Sequence, residues 1–148
     1  LLVVGDGELM AEARQMVEEL DLPVTFAGFL NQREITRAYL AADCLVLPSD
    51  FGETWGLVVN EAMACGLPAL VSDRVGCWPD LVEEGVTGRV FPCGDIDALT
   101  RQLLELSSDP ARLAYMGTQA SEHIRQYSVE NAVQGTLHAI EFVLQRES

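Results

Sequence analysis

Lysine is absent from this chain: all nine basic residues are arginines, set against 23 aspartates and glutamates for a formal net charge of -14. Such a surface repels a phosphodiester backbone over about a Debye length, and no basic cluster overrides that, so nucleic acid is not an expected partner. Any phosphate bound here has to be held by a few local arginines, backbone N–H groups and helix N-termini. Long hydrophobic runs are missing too. None approaches the roughly 18 apolar residues of a membrane span, and no basic segment leads into a cleavable apolar stretch. Cysteine is sparse: Cys44, Cys65, Cys77 and Cys93 form no C-x-x-C pair, and with only His123 and His138 to join them no metal site is expected. Reduced, buried thiols fit a cytoplasmic protein.

What is present is an ordinary globular composition, 49% apolar and 22% charged over 148 residues, enough for one domain (1–148) with a packed core. The chain opens directly in a strand and has no starting Met, so it reads as cut from something longer. Leu1 to Val4, Val24 to Ala27, Cys44 to Leu47, Pro68 to Ser72 and Arg89 to Pro92 are short apolar runs that end at Gly, Pro or polar turns, as strands do. Between them apolar residues recur at helical spacing: Leu9 to Leu20, a segment capped at Asn31 through Glu34, Gly56 to Cys65, and a short piece from Pro79 to Glu84. Three further helices, Asp95 to Leu106, Pro110 to about Tyr127 and Val129 to Arg146, complete the chain. Strands alternating with helices through short connections specify an α/β fold: a Rossmann-like, doubly wound parallel sheet with helices on both faces. Ligands of such sheets bind beyond the carboxyl ends of the strands, where Gly5 to Gly7, Gly28 to Leu30, Ser49 to Trp55 and Asp73 to Trp78 lie.

Gly5-Asp6-Gly7-Glu8-Leu9-Met10 follows a strand and opens a helix, as a dinucleotide fingerprint would. Its third position is Met10, and the next strand ends in Ala27-Gly28 without the acid that grips an adenosine ribose, so a plain strand-to-helix turn is the better reading. The stretch Pro48 to Pro68 is more informative. Glu53 lies on its loop, and Glu61 sits in an apolar helix between Asn60 and Ala62, seven residues separating the two. An ionised carboxylate accepts two hydrogen bonds and so suits a vicinal diol, while the amides of Trp55, Gly56 and Leu57 offer an anion site at the start of the helix. The plainer alternative makes Glu61 a surface residue and Glu53 a charge favoured by the helix dipole. It would leave Phe51, Trp55 and Trp78 exposed beside a Gly-rich turn. His123 and His138 read as helix residues without chemistry, Asp43 as a junction and Asp73 as a turn former.

The segment PSDFGETWGLVVNEAMACGLP resembles the E-x7-E signature of the group 1, family four retaining glycosyltransferases. VGDGE, FAGFL, AADCLVLPS and EEGVTGRVFP are similar to that family's C-terminal domain in order and spacing. The resemblance implies one half of a GT-B architecture, the half that binds a nucleoside diphosphate sugar. By it Glu61 holds the ribose hydroxyls and Glu53 contacts the transferred sugar as the catalytic residue. The amides of Trp55, Gly56 and Leu57 meet the diphosphate, Gly28, Phe29 and Leu30 lie along the base, and Gly5 lines the donor site. It implies no metal and no cofactor. It further implies that the first strand and helix of the domain, with a phosphate-binding Arg and Lys, and an acceptor-binding domain lie outside this chain. Membrane association would come only through that domain, at the cytosolic face, and the isolated fragment would be inactive. The family's Gly-Gly turn stands here as Gly76-Cys77, and the Glu after its Pro as Asp80. Other GT-B chemistries, a sugar-nucleotide epimerase or a phosphorylase, and a non-catalytic α/β interaction domain are the alternatives.

Overall fold

The computed structural model describes residues 1–146 and divides into two compact units, Leu1–Ala42 and the remainder from Asp43. In the first unit β1 (Leu2–Val4) is followed by α1 (Met10–Glu19), β2 (Thr25–Gly28) and α2 (Ile35–Leu40). The two strands pair in parallel, Leu2 against Thr25 and Val3 against Phe26, with an irregularity that sets Val4 against Gly28. Asn31 and Glu34 cap the turn before α2 reciprocally: Asn31 Oδ1 accepts the Arg33 N–H at 2.9 Å, and Glu34 Oε2 accepts the Asn31 N–H at 3.3 Å. The Arg14 guanidinium lies 4.6 Å from the Phe26 ring centroid and covers that strand residue.

The second unit holds β3 (Leu45–Leu47), α3 (Leu57–Ala64), β4 (Ala69–Ser72), α4 (Trp78–Leu81), β5 (Gly88–Phe91), α5 (Ile96–Ser107), α6 (Pro110–His123) and α7 (Val129–Arg146). A 3-10 turn, Ile124–Tyr127, separates the last two helices. Its sheet runs β3-β4-β5, all parallel, in the register Leu45–Ala69–Gly88 to Leu47–Val71–Val90. Every residue of β4 is buried, because helices cover both faces of the central strand. Val71 packs with Val59, Met63, Val75 and Leu81 on the side of α3 and α4, whereas Leu70 packs with Phe91, Ala98, Leu106 and Met116 on the side of α5 and α6. Alternation along β4 therefore feeds two cores. α5 and α6 begin on side-chain caps, Asp95 accepting the Ala98 N–H at 2.8 Å and Asp109 the Arg112 N–H at 3.0 Å. Gly117 lets α6 touch the turn after α3: a Cβ there would stand 2.1 Å from the Gly66 carbonyl oxygen.

The outer edge of β5 is closed by its own surroundings. Gly85 donates its N–H to the Gly88 carbonyl at 2.8 Å, the Glu84 carboxylate accepts the Val90 N–H at 3.1 Å, and the Gln102 amide donates to the Val90 carbonyl at 2.9 Å. Arg89 pairs with Glu105 at 2.5 Å along the same edge.

The parallel α/β fold stands as expected, with corrections. Among the described residues five strands form two sheets, one of two strands and one of three. The short helix is Trp78–Leu81 and does not reach Glu84. Thr87 takes the chain out of it: its hydroxyl donates to the Leu81 carbonyl and accepts the Glu83 N–H, both at 2.8 Å. Among the described residues no helix is long and apolar enough to cross a membrane.

Candidate functional site

In the second unit the loops that leave β3 and β4 at their carboxyl ends are bound to each other. Ser72, fully buried at the end of β4, donates its hydroxyl to the Ser49 carbonyl, and its Oγ accepts the Arg74 N–H at 3.2 Å. Further on, the Cys77 N–H donates to the Trp55 carbonyl at 2.8 Å. Gly76 passes so close to the other loop that a Cβ on it would stand 1.9 Å from the Thr54 carbonyl oxygen. Gly56 is held by the same loop. Its φ is +98°, in the left-handed region, and a Cβ on it would meet Val75 Cγ1 at 2.9 Å and Cys77 Sγ at 3.5 Å. The backbone from Thr54 to Gly56 is thus fixed by Val75, Gly76 and Cys77, and with it the point where Glu53 leaves the chain.

Gly56 delivers the chain into α3, which begins without a side-chain cap, unlike α5 and α6. The N–H groups of its first turn, at Leu57 and Val58, lie at the positive end of the helix dipole. Glu53 is half-buried on the loop before it. Glu61 stands one turn beyond Leu57 on the same outward stripe, Leu57–Glu61–Ala64, while Val59, Ala62 and Met63 point into the core. The two carboxylates therefore belong to one loop-and-helix segment, the first beside its amino end and the second on its exposed face.

Trp55 and Trp78 are placed differently from the sequence expectation. Both are half-buried against the core that contains Val59 and Leu81, and the Trp55 indole N–H donates to Asn60 Oδ1 at 2.8 Å. They support the loop from below and need no ligand to cover them. Phe51 alone of the three is exposed, at 83%. Cys77 likewise points inward: its Sγ lies 3.9 Å from the Gly56 carbonyl. Burial pushes its thiol up to about 11, and the charges of Glu53 and Asp80 add to the rise. The thiol is consequently neutral and unreactive at physiological pH.

Other contacts were not foreseen from sequence. Asp73, expected only to form a turn, accepts the Cys93 N–H at 3.0 Å and so ties the loop after β4 to the one after β5. His123 is not idle: its Nε2 lies 2.9 Å from the Asp80 carbonyl, which also accepts the Tyr127 hydroxyl at 2.9 Å. These bonds anchor the end of α4. A cavity of about 320 Å³ lined by Gly66, Gly117, Thr118 and Arg125 lies at the other end of α3 and shares no residue with these loops.

The first unit carries the remaining expected residues. Pairing of β1 with β2 brings Gly5 and Gly28 together, the Gly5 N–H donating to the Gly28 carbonyl at 2.8 Å. Both have positive φ, +121° and +69°. Phe29 follows, 80% exposed, and Leu30 is half-buried. Among the described residues no group of three His, Cys, Asp or Glu side chains is placed to hold a metal.

Residues 1–123 match the family model of the glycosyl transferases group 1. The chain belongs to this family. A sulfoquinovosyl transferase of Arabidopsis thaliana is 35% identical over 127 residues, covering 84% of this chain and 24% of that protein. The N-acetyl-alpha-D-glucosaminyl L-malate synthase of Bacillus anthracis is 34% identical over 136 residues, covering 90% of this chain and 35% of that enzyme. Among solved structures, sucrose-phosphate synthase from Thermosynechococcus elongatus superposes with a TM-score of 0.78 at 30% identity, over 100% of this chain and 39% of the other. Anabaena Alr3699/HepE in complex with UDP-glucose gives 0.78 at 28% identity, over 93% and 40%. This group 1 glycosyltransferase chain thus spans between 24% and 40% of the length of these four proteins, and it shares the fold of a part of these GT-B enzymes.

Proposed function

We propose that residues 1–148 are the donor-binding domain of a retaining glycosyltransferase, which takes a nucleoside diphosphate sugar and, in the whole enzyme, transfers the hexosyl group to an acceptor hydroxyl. The observation that carries this reading is the Glu53-to-Glu61 segment. A half-buried carboxylate, a fixed left-handed turn, an uncapped helix start and a second carboxylate one turn on follow one another at the carboxyl edge of a parallel sheet. The UDP-glucose complex of Anabaena Alr3699/HepE supports a nucleotide sugar as the ligand.

In this reading Glu61 accepts hydrogen bonds from the ribose hydroxyls. The amides of Trp55, Gly56 and Leu57 hold the diphosphate at the helix start. Glu53 contacts the sugar. In the reaction the bond between the anomeric carbon and the diphosphate oxygen breaks while the acceptor oxygen bonds to the same face of that carbon, and the acceptor proton leaves with the diphosphate. Fixed donors aimed at the departing oxygen lower the barrier most, because charge develops there. Neither a metal nor a cofactor has a part in this scheme. The acceptor site, further phosphate-binding cations and any membrane contact belong to other parts of the enzyme, which works in the cytoplasm.

Calorimetry with UDP, GDP and ADP on the whole enzyme tests the assignment. Glu61→Ala should weaken the preferred nucleotide about tenfold or more, the cost of losing charge-assisted bonds to a diol. Unchanged affinity would remove Glu61 from the ribose site.

A further inference from the structure

The loops that follow β3, β4 and β5 are acidic: Asp50, Glu53, Asp73 and Asp95 lie on them, and Arg74 is their only cation. The acids are mostly engaged locally. Asp95 caps α5, Asp73 accepts the Cys93 N–H, and Asp50 accepts the Phe51 N–H at 2.6 Å. Arg74 is not matched in the same way. Its side chain is 59% exposed, and the nearest carboxylate oxygen, on Asp73, is 3.9 Å from Nε, beyond hydrogen-bond reach. Instead the side chain leans across to the neighbouring loop, its guanidinium carbon 6.0 Å from the centroid of the Phe51 ring. That ring is itself exposed and stands two residues before Glu53. The root of Arg74 is fixed to the same loop through Ser72, which accepts the Arg74 N–H and donates to the Ser49 carbonyl.

A dianionic ligand that approaches this edge meets acidic loops on a protein of net charge -14. Helix-start amides alone offset that repulsion poorly, since they carry only about half a unit charge. An exposed guanidinium that leans over the loop towards an aromatic ring, and that is only loosely paired with Asp73, supplies what the edge lacks, because its planar fork matches an oxyanion. We propose that Arg74 binds an oxyanion of the donor, either on the diphosphate or as an acidic group on the sugar. This rests on the donor-site reading above and adds a residue that the E-x7-E segment does not contain.

The test is calorimetry on the whole enzyme, wild type, Arg74→Gln and Arg74→Lys, with UDP, GDP and ADP, their parent nucleosides, UDP-glucose and UDP-glucuronate. The expected result is a loss of about 10- to 100-fold in diphosphate affinity for Arg74→Gln, no change for the nucleoside, and partial recovery in Arg74→Lys. A loss confined to UDP-glucuronate relative to UDP-glucose also supports the proposal and places the oxyanion on the sugar. Unchanged affinity for every probe overturns it, as does an equal loss for nucleoside and diphosphate, which would report a collapsed loop. Failure of all nucleotides to bind the wild type would instead refute the donor-site reading, and this assignment with it.

Discussion

Gly76 and Thr54 approach so closely that the Thr54 carbonyl oxygen occupies the space of a side chain at position 76. This contact holds the Glu53 loop against the loop after β4. Gly76→Ala should therefore cost about 1 to 3 kcal/mol of stability, the range for overpacking, and weaken nucleotide binding as well. Gly135→Ala, where the added methyl meets open space on α7, should cause no loss. Urea titration of both variants decides this, and equal midpoints would show that the loop yields.

For Glu53→Gln in the whole enzyme, turnover should fall about 100-fold or more while nucleotide affinity stays within about threefold, because a sugar contact counts most as charge develops in the transition state. Steady-state kinetics beside calorimetry gives both quantities. Equal turnover would exclude the catalytic role.

Cys77 makes stability depend on alkaline pH. Its thiol ionises near the ordinary 9.0 when unfolded and at about 11 when folded, because burial disfavours the thiolate. The contribution is complete below about pH 9 and is lost as pH rises towards 11, since the unfolded chain sheds a proton that the folded one keeps. The loss amounts to about 2 to 3 kcal/mol. Cys44, also raised to about 11 chiefly by burial, acts in the same direction. Denaturation series from pH 8 to 11 should show this slope, and Cys77→Ala should reduce it.

Asp95→Ala and Asp109→Ala should each cost about 1 kcal/mol, because each leaves a first-turn amide of α5 or α6 without its acceptor. Chemical denaturation checks the pair, and their effects should add, as they start separate helices.

Much of the fold was legible in local pattern. Ala69 to Ser72 is apolar apart from its last residue and is indeed covered on both faces, and α7 spans Val129–Arg146 as its spacing predicts. The Asn31 and Glu34 pairing was legible as well, because both partners lie within one turn, although it closes the turn ahead of α2 and leaves the helix itself without a side-chain cap. What escaped the sequence depends on side-chain contacts that the local apolar pattern does not show. Trp55 looks exposed next to glycines until Asn60 and the core take it up, and Asp73 looks like a turn residue until Cys93 arrives 20 positions later. The division into two sheets is what the resemblance implies, since it puts a mid-sheet strand of the domain outside this chain. The Gly76–Thr54 contact had a visible sign, a glycine in the turn, but its partner did not.

The sealed side of β5 has one more consequence. With the groups at Gly88 and Val90 already satisfied by Gly85, Glu84 and Gln102, no template is left on that flank for a foreign strand, and a charged Arg89–Glu105 pair guards it. Among the described residues β3 pairs with β4 alone. The three-stranded sheet therefore has one finished flank: any lengthening of it, within a larger enzyme or in an aggregate, cannot proceed from β5.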